Sequence, residues 1–160
     1  MTERYEPPSQ FLKMVIEDGV PLIGSQHAQE NLRRLIALTR DDETANRDWA
    51  TMLLAQEEID SSEVREALLA SAYDDDDVVR AEAILGLARR DRLLALPLVR
   101  EALSGEKACM AVFEAATLVA DPSLIEALEP WIEPSDLDYL DRLAQVALEA
   151  CQQGRSAISG

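Results

Sequence analysis

Ala72 to Leu87 reads AYDDDDVVRAEAILGL, and a related stretch, Thr39 to Leu54, reads TRDDETANRDWATMLL. An offset of 33 superposes Asp42 on Asp75, Arg47 on Arg80, Ala50 on Ala83 and Leu54 on Leu87. A period of this size marks stacked helical hairpins, each a unit too small to bury its own apolar face. Further along, Ala115 and Ala147 continue the alanine row at spacings near 32. A small residue at that position lets neighbouring helices approach closely. Leu53/Leu54, Gly86/Leu87, Leu118/Val119 and Ala150/Cys151 then fill the layer behind.

Working outward, every apolar pattern has helical period and none alternates as a strand does. Ser9 caps a short helix with Phe11, Leu12, Val15 and Ile16 on one face, and Gly19 stops it. Residues 1–24 are thus a lead-in with one capping helix. Ser25 opens a helix to about Thr39, an acidic turn follows, and Ala45–Glu57 forms its partner. Asp60 with Glu63 has capping-box spacing before the helix 61–72. Asp74 to Asp77 make the next turn, ahead of Val78–Arg90. A third hairpin runs from Arg92 to Val119 with its turn at Ser104-Gly105. The fourth opens at Asp121-Pro122, turns at Pro134-Ser135, and ends with a helix from Asp136 that Gly154 closes. The expectation is an all-α, α-α superhelix of about four hairpins over 25–153, with a flexible tail at 154–160.

Composition bounds what such a domain binds. The chain has 160 residues, 48% of them hydrophobic and 4% aromatic, so Leu, Ala, Val and Ile must build the core. Its net charge of -16 repels nucleic-acid backbones and anionic membranes and favours a basic protein or a cation. The same charge also serves solubility. Cys109 and Cys151 are far apart, with no CxxC pattern, and fit reduced core thiols. MTERYEPPSQ has no basic n-region or apolar h-region, so no signal peptide is expected and the expected location is the cytoplasm. No apolar run approaches 18 residues.

The unit DDDDVVRAEAILGLARRD, followed by LLALPLVREAL, resembles the HEAT-repeat family, and more narrowly the short bacterial HEAT-like repeats also found in phycobilin-lyase subunits. An Asp-rich turn, Val-Arg, spaced alanines and Leu-Gly carry the resemblance through Asp75, Val79, Arg80, Ala83 and Gly86, and through Asp42, Arg47 and Ala50 in the first unit. It covers about residues 29–152 and departs at the arginine position, which is Val112 and Ala144 in the last two units. The resemblance implies a right-handed HEAT-like solenoid with its second helices on the concave side, and protein binding as the commonest role. It also implies an alternative, a bilin-lyase-like subunit or chaperone handling a tetrapyrrole. HEAT-like hydroxylases use His-Glu metal pairs, and the single His27 does not provide them. HEAT-like DNA glycosylases need a positive groove, against the charge of this chain.

The candidate residues follow from these patterns. Asp42/Arg47 and Asp75/Arg80 read as a structural ladder, the aspartates capping a helix and the arginine fork reaching a neighbouring turn. Asp74 to Asp77 is a solvated helix-start turn rather than a calcium loop, which needs spaced ligands, a glycine and a distal glutamate. Trp49 aligns with Glu82 and Glu114, a row that should face outward. With Asp48 it makes a candidate partner surface, since an exposed Trp is a common hot spot. The competing reading packs Trp49 against the N-terminal segment. Phe113 beside that row reads as core, while Trp131 and Tyr139 are expected to pack on each other or on the final hairpin. Glu126, Glu129, Glu133, Asp136, Asp138 and Asp141 face one basic residue, Arg142, as a grip for a basic partner or a solvated face. No catalytic triad, Cys/His pair, zinc set, Walker loop or dinucleotide fingerprint occurs. The expected function is a non-enzymatic protein-interaction module without cofactor or metal, in its sharper form an inhibitor or immunity-type protein for a basic partner.

Overall fold

Hydrophobic period and capping chemistry produce helices throughout. The computed structural model describes residues 7–17 and 19–159, with side chains as far as Gly154, and contains no strand among them. Nine α-helices follow one another among these residues, none long and apolar enough to cross a membrane. Packing divides the chain into two compact units, Met1–Ala83 and Ile84–Gly160, with the boundary inside one helix.

In the first unit, α1 (Gln10–Ile16) starts where Ser9 Oγ accepts from the Leu12 amide at 3.4 Å. Phe11, Leu12 and Val15 are buried, whereas Ile16, expected on the same face, stays exposed. α2 (Gln26–Leu38) is capped by Ser25, whose Oγ accepts from Ala28 N at 3.0 Å. α3 (Thr44–Gln56) packs on α2, and α4 (Ser62–Ser71) packs on α3. The lead-in is fastened to this group rather than standing apart from it. Ser9 N donates to Asn46 Oδ1 at 3.0 Å, Asn31 Nδ2 donates to Pro21 O at 3.0 Å, and the Arg34 guanidinium lies 4.4 Å from the Phe11 ring centre. The cap of α4 is Ser61, which accepts from Val64 N at 3.2 Å, while the expected cap Asp60 forks with Arg65 at 2.6 and 2.8 Å. A serine one residue closer to the helix reaches the orphan amide with less extension, which frees the carboxylate for the guanidinium.

α5 (Asp77–Arg90) carries the unit boundary. In the second unit, α6 (Arg92–Leu103) begins at Asp91, whose carboxylate accepts from Leu94 N at 3.1 Å. α7 (Met110–Val119) packs against α6 and against α9 (Asp138–Ser159). The first helix of the fourth hairpin, expected to be continuous, is broken into a 3-10 turn (Pro122–Leu124), α8 (Ile125–Leu128) and a second 3-10 turn (Glu129–Ile132). Pro130 lacks the amide that a continued α-helix would need there. The last helix also starts later than expected. Ser135 Oγ accepts from Leu137 N at 3.1 Å and donates to Asp141, so the helix begins at Asp138.

The alanine row behaves as its spacing predicts: Ala50, Ala83, Ala115 and Ala147 are each fully buried. Phe113 is core, but its partner is Trp131, edge-on with ring centres 5.8 Å apart. Trp131 Nε1 donates to the carbonyl of Leu103 at 2.9 Å and so satisfies the C-terminal end of α6. Tyr139, expected beside it, is exposed. Trp131→Phe keeps most of the ring contact and loses this bond. It should cost about 1 kcal/mol in urea unfolding, and an unchanged midpoint would show that water replaces the indole without penalty.

Among the described residues of the first unit, the hydroxyls of Thr51 on α3 and Ser71 on α4 are buried without a hydrogen-bond partner. A buried hydroxyl that makes no bond costs stability, so removing it at constant shape restores that loss. Thr51→Val is expected to raise stability by about 1 kcal/mol, and Ser71→Ala by a similar amount less the small void it leaves. Thermal melting of the two variants reads this directly, and a lower Tm for Thr51→Val would mean that the hydroxyl is bonded in solution.

Candidate functional site

The repeated acidic turns are built from one local device used twice. Asp41 Oδ2 accepts from Glu43 N at 3.2 Å, and Asp74 Oδ1 accepts from Asp76 N at 2.9 Å. Six residues on from each aspartate, an arginine folds back onto its carbonyl: Arg47 Nη1 to Asp41 O at 3.0 Å and Arg80 Nη1 to Asp74 O at 2.7 Å. The spacing of 33 is therefore repeated in geometry as well as in letters. The carboxylates that close the turns are Asp41 and Asp74, however, one residue before the expected Asp42 and Asp75. A side chain bonds most readily to the amide two residues ahead, and from positions 41 and 74 that amide lies at the helix entry. Asp42 supplies its backbone carbonyl to Arg47 Nη1 at 3.2 Å.

Arg47 then links one turn to the next. Nε and Nη2 fork onto the Asp74 carboxylate at 3.1 and 3.4 Å, and Nη2 also reaches Asp75 at 3.2 Å. The Arg47 and Asp74 side chains are 15% and 12% exposed, so this pair is sheltered, whereas Asp75 is 93% exposed. Burial pushes the Asp74 carboxyl up, but the Asp76 amide and the Arg47 guanidinium outweigh it and hold the group below the usual carboxylate value. Asp76 caps α5 by accepting from Val78 N and Val79 N at 3.0 and 3.1 Å, and Asp77 pairs with Arg80. The four consecutive aspartates are thus each committed to the turn, the cap or an arginine. Among the described residues no group of three or more His, Cys, Asp or Glu side chains is placed to hold a metal ion.

The row read as a partner surface is less open than its register suggests. Asp48, Trp49, Glu82 and Glu114 are all half-buried. Trp49 Nε1 is enclosed, and Asp48, Trp49 and Glu82 already engage in interactions within the protein. The indole is therefore half-buried with its polar end enclosed, and does not stand out as a bare anchor. His27 is exposed and lies 3.9 Å from Glu30 on the same helix.

A more accessible feature lies in the second unit. Glu126, Glu129, Glu133, Asp136 and Asp138 are exposed, and no ion pair engages them among the described residues. Asp141, counted with them from sequence, is instead occupied: it accepts from Ser135 Oγ at 2.7 Å and Ser135 N at 2.8 Å, which hold its carboxyl below the ordinary value. Ser123 does the same for Asp121, its hydroxyl and then its amide lowering that carboxyl, while Arg100 donates to Ser123 Oγ at 2.7 Å. Cys151 is buried, and desolvation first, then the charge of Asp121, raises its thiol to about 11, so it is a core residue without thiolate chemistry. Cys109 is half-exposed at the start of α7.

Sequence reading missed a groove in the first unit, of about 440 Å³, between α2 and α4. Arg33 and Arg40 stand on the α2 side and Glu63 and Glu66 on the α4 side, with Ile36, Ala67 and Ala70 between. The signal was present as like charges at helical spacing, i,i+7 on α2 and i,i+3 on α4, but the pairing of those two helices is not written in either.

No known family model matches the sequence, and no curated protein matches it. Among solved structures, the chain is similar to the X-ray structure of YibA from Escherichia coli, with a TM-score of 0.59 and 22% identity over 86% of this chain. It spans 54% of the YibA chain, about half its length. The likeness is one of fold.

Proposed function

We propose that this protein is a non-enzymatic protein-binding module, a HEAT-like array of helical hairpins whose acidic surface takes a basic protein. The observation that carries the reading is the run of exposed carboxylates without ion pairs, Glu126, Glu129, Glu133, Asp136 and Asp138, on a chain with net charge -16. Charges kept in solvent are not needed to hold the hairpins together. Their field speeds encounter with a cationic partner and lends specificity at the rim of an interface. The repeated turn geometry supports the hairpin-array part of the reading. An inhibitor or immunity-type role against a basic enzyme is the sharper form of the proposal. The half-buried Asp48, Trp49 and Glu82 of the first unit are a secondary contact in which the carboxylate tips, not the indole, reach the partner, and Glu114 offers a further carboxylate within the second unit.

The test is affinity capture from the native lysate with the intact protein and with a Glu126→Gln/Glu129→Gln/Glu133→Gln variant. A dominant basic protein should be retained at low salt, lost at high salt where charges are screened, and weakened in the variant. Retention of the same proteins by both forms at every salt concentration would overturn the role of the acidic edge.

A further inference from the structure

The groove between α2 and α4 is an unusual feature on so acidic a chain, because one of its walls is positive. Arg33 and Arg40 are both exposed and lie two helical turns apart, about 10 Å along α2. Glu63 and Glu66 face the groove from α4, exposed and one turn apart. Among the described residues no ion pair engages any of the four, so neither wall neutralises the other. Ile36, Ala67 and Ala70 give the space between them an apolar lining, and the buried Thr39 beside them spends its hydroxyl on the Ile36 carbonyl at 2.6 Å.

We infer that this groove docks an amphipathic helix of a partner protein, with an apolar stripe flanked by acidic residues on one side and basic residues on the other. The chemistry follows from the walls. An apolar stripe covers Ile36 and Ala67, as helix-in-groove recognition requires. Glu or Asp at heptad spacing on one flank meets Arg33 and Arg40, whose planar forks suit carboxylates. Lys or Arg on the opposite flank meets Glu63 and Glu66. This is the arrangement by which flanking charges choose partner and orientation in helical assemblies. It gives the bound helix one direction and one rotational setting, since reversing the flanks would place like charges against both walls. Small side chains on the floor admit close approach of an incoming helix backbone. The inference rests on the protein-binding reading above and adds a second surface, distinct in chemistry from the acidic edge of the other unit.

A labelled three-heptad helical peptide serves as the probe, with Leu on its stripe, Glu on one flank and Lys on the other. Fluorescence anisotropy with the full chain measures binding of this peptide and of a second peptide of the same composition with the charges scattered over both flanks. The patterned peptide should bind at least about tenfold more tightly than the scattered one. Arg33→Glu/Arg40→Glu should reduce its binding by about the same factor, because both acidic flank residues then face like charge. The positions are exposed, and thermal melting confirms that the variant folds. Equal binding of the two peptides, or unchanged binding to the variant, overturns the groove. A plain oligolysine peptide, run alongside, reports on the acidic edge. Its binding without discrimination between the Leu-striped peptides would sink this inference and leave the proposed function standing. Failure of oligolysine together with success of the patterned peptide would do the reverse.

Discussion

Replacing Arg47 with methionine is expected to lower the stability of the first unit by about 2–4 kcal/mol. Methionine keeps the length and the apolar stem of arginine, so the loss isolates the guanidinium. That group makes a fork onto Asp74, a bond to Asp75 and bonds to the carbonyls of Asp41 and Asp42. The Asp74 carboxylate is 12% exposed, so without Arg47 it keeps its charge in a sheltered place with little water to take the partner's role. The cost lies below that of a fully buried pair because both side chains retain some solvent. Urea unfolding followed through Trp49, in a Trp131→Phe background that silences the other indole, reads the first unit by itself. The acid side provides a second readout. The folded Asp74 carboxyl lies below its unfolded value, so its contribution is present above the unfolded value, about pH 4, and is lost as pH falls through the folded one. Wild type should therefore lose more stability than Arg47→Met in that acid window, and the two should converge at low pH. Asp121 and Asp141 titrate in both proteins and cancel in the comparison. A cost under about 0.5 kcal/mol with parallel pH curves would reduce the ladder to a surface ion pair.

Arg47 also marks what could be read from sequence. Its recurrence at Arg80 revealed the repeat, and the planar fork predicted a reach to a neighbouring turn. The identity of the bonding aspartates was off by one, because in DDDDVVR every position is chemically equivalent until the backbone fixes which amides point back. Helices, their order and the buried alanines were legible because period and caps are local properties of the chain. Trp49 left two readings open, a partner anchor or a packed residue, because register places a residue on a face but does not say how far a large ring is covered; here its Nε1 is enclosed. For Trp131 the sequence offered Tyr139 or the final hairpin, and the contacts to Phe113 and to the Leu103 carbonyl were not legible because the latter spans 28 residues of chain. The groove between α2 and α4 depends wholly on tertiary pairing, and sequence held only its two walls.

Gly154→Ala should destabilise the second unit by about 1–3 kcal/mol, against the sign that helix propensity gives. By sequence, Gly154 is a helix terminator that fixes the end of the last helix at Gln152 or nearby. The structure carries α9 through Gly154 to Ser159, so its role is different. In an exposed helix interior, Gly to Ala adds about 1 kcal/mol of stability. At this position a Cβ would lie 2.2 Å from the carbonyl oxygen of Ala120, inside any allowed contact. Ala120 closes α7 in the left-handed conformation, at φ 49°, which commits its backbone and leaves the carbonyl little freedom to move aside. The obstacle is backbone rather than a flexible side-chain tip, so α9 must shift away from α7, the helix it packs against most extensively. The overpacking cost then exceeds the gain in propensity, and bulkier substitutions should cost more than alanine in order of size. Thermal melting of Gly154→Ala and Gly154→Val, beside an exposed control such as Gln153→Ala, separates the two contributions. A rise in Tm for Gly154→Ala would mean that α9 does not approach Ala120 in solution, and that the glycine is there to end the helix, as the sequence pattern first suggests.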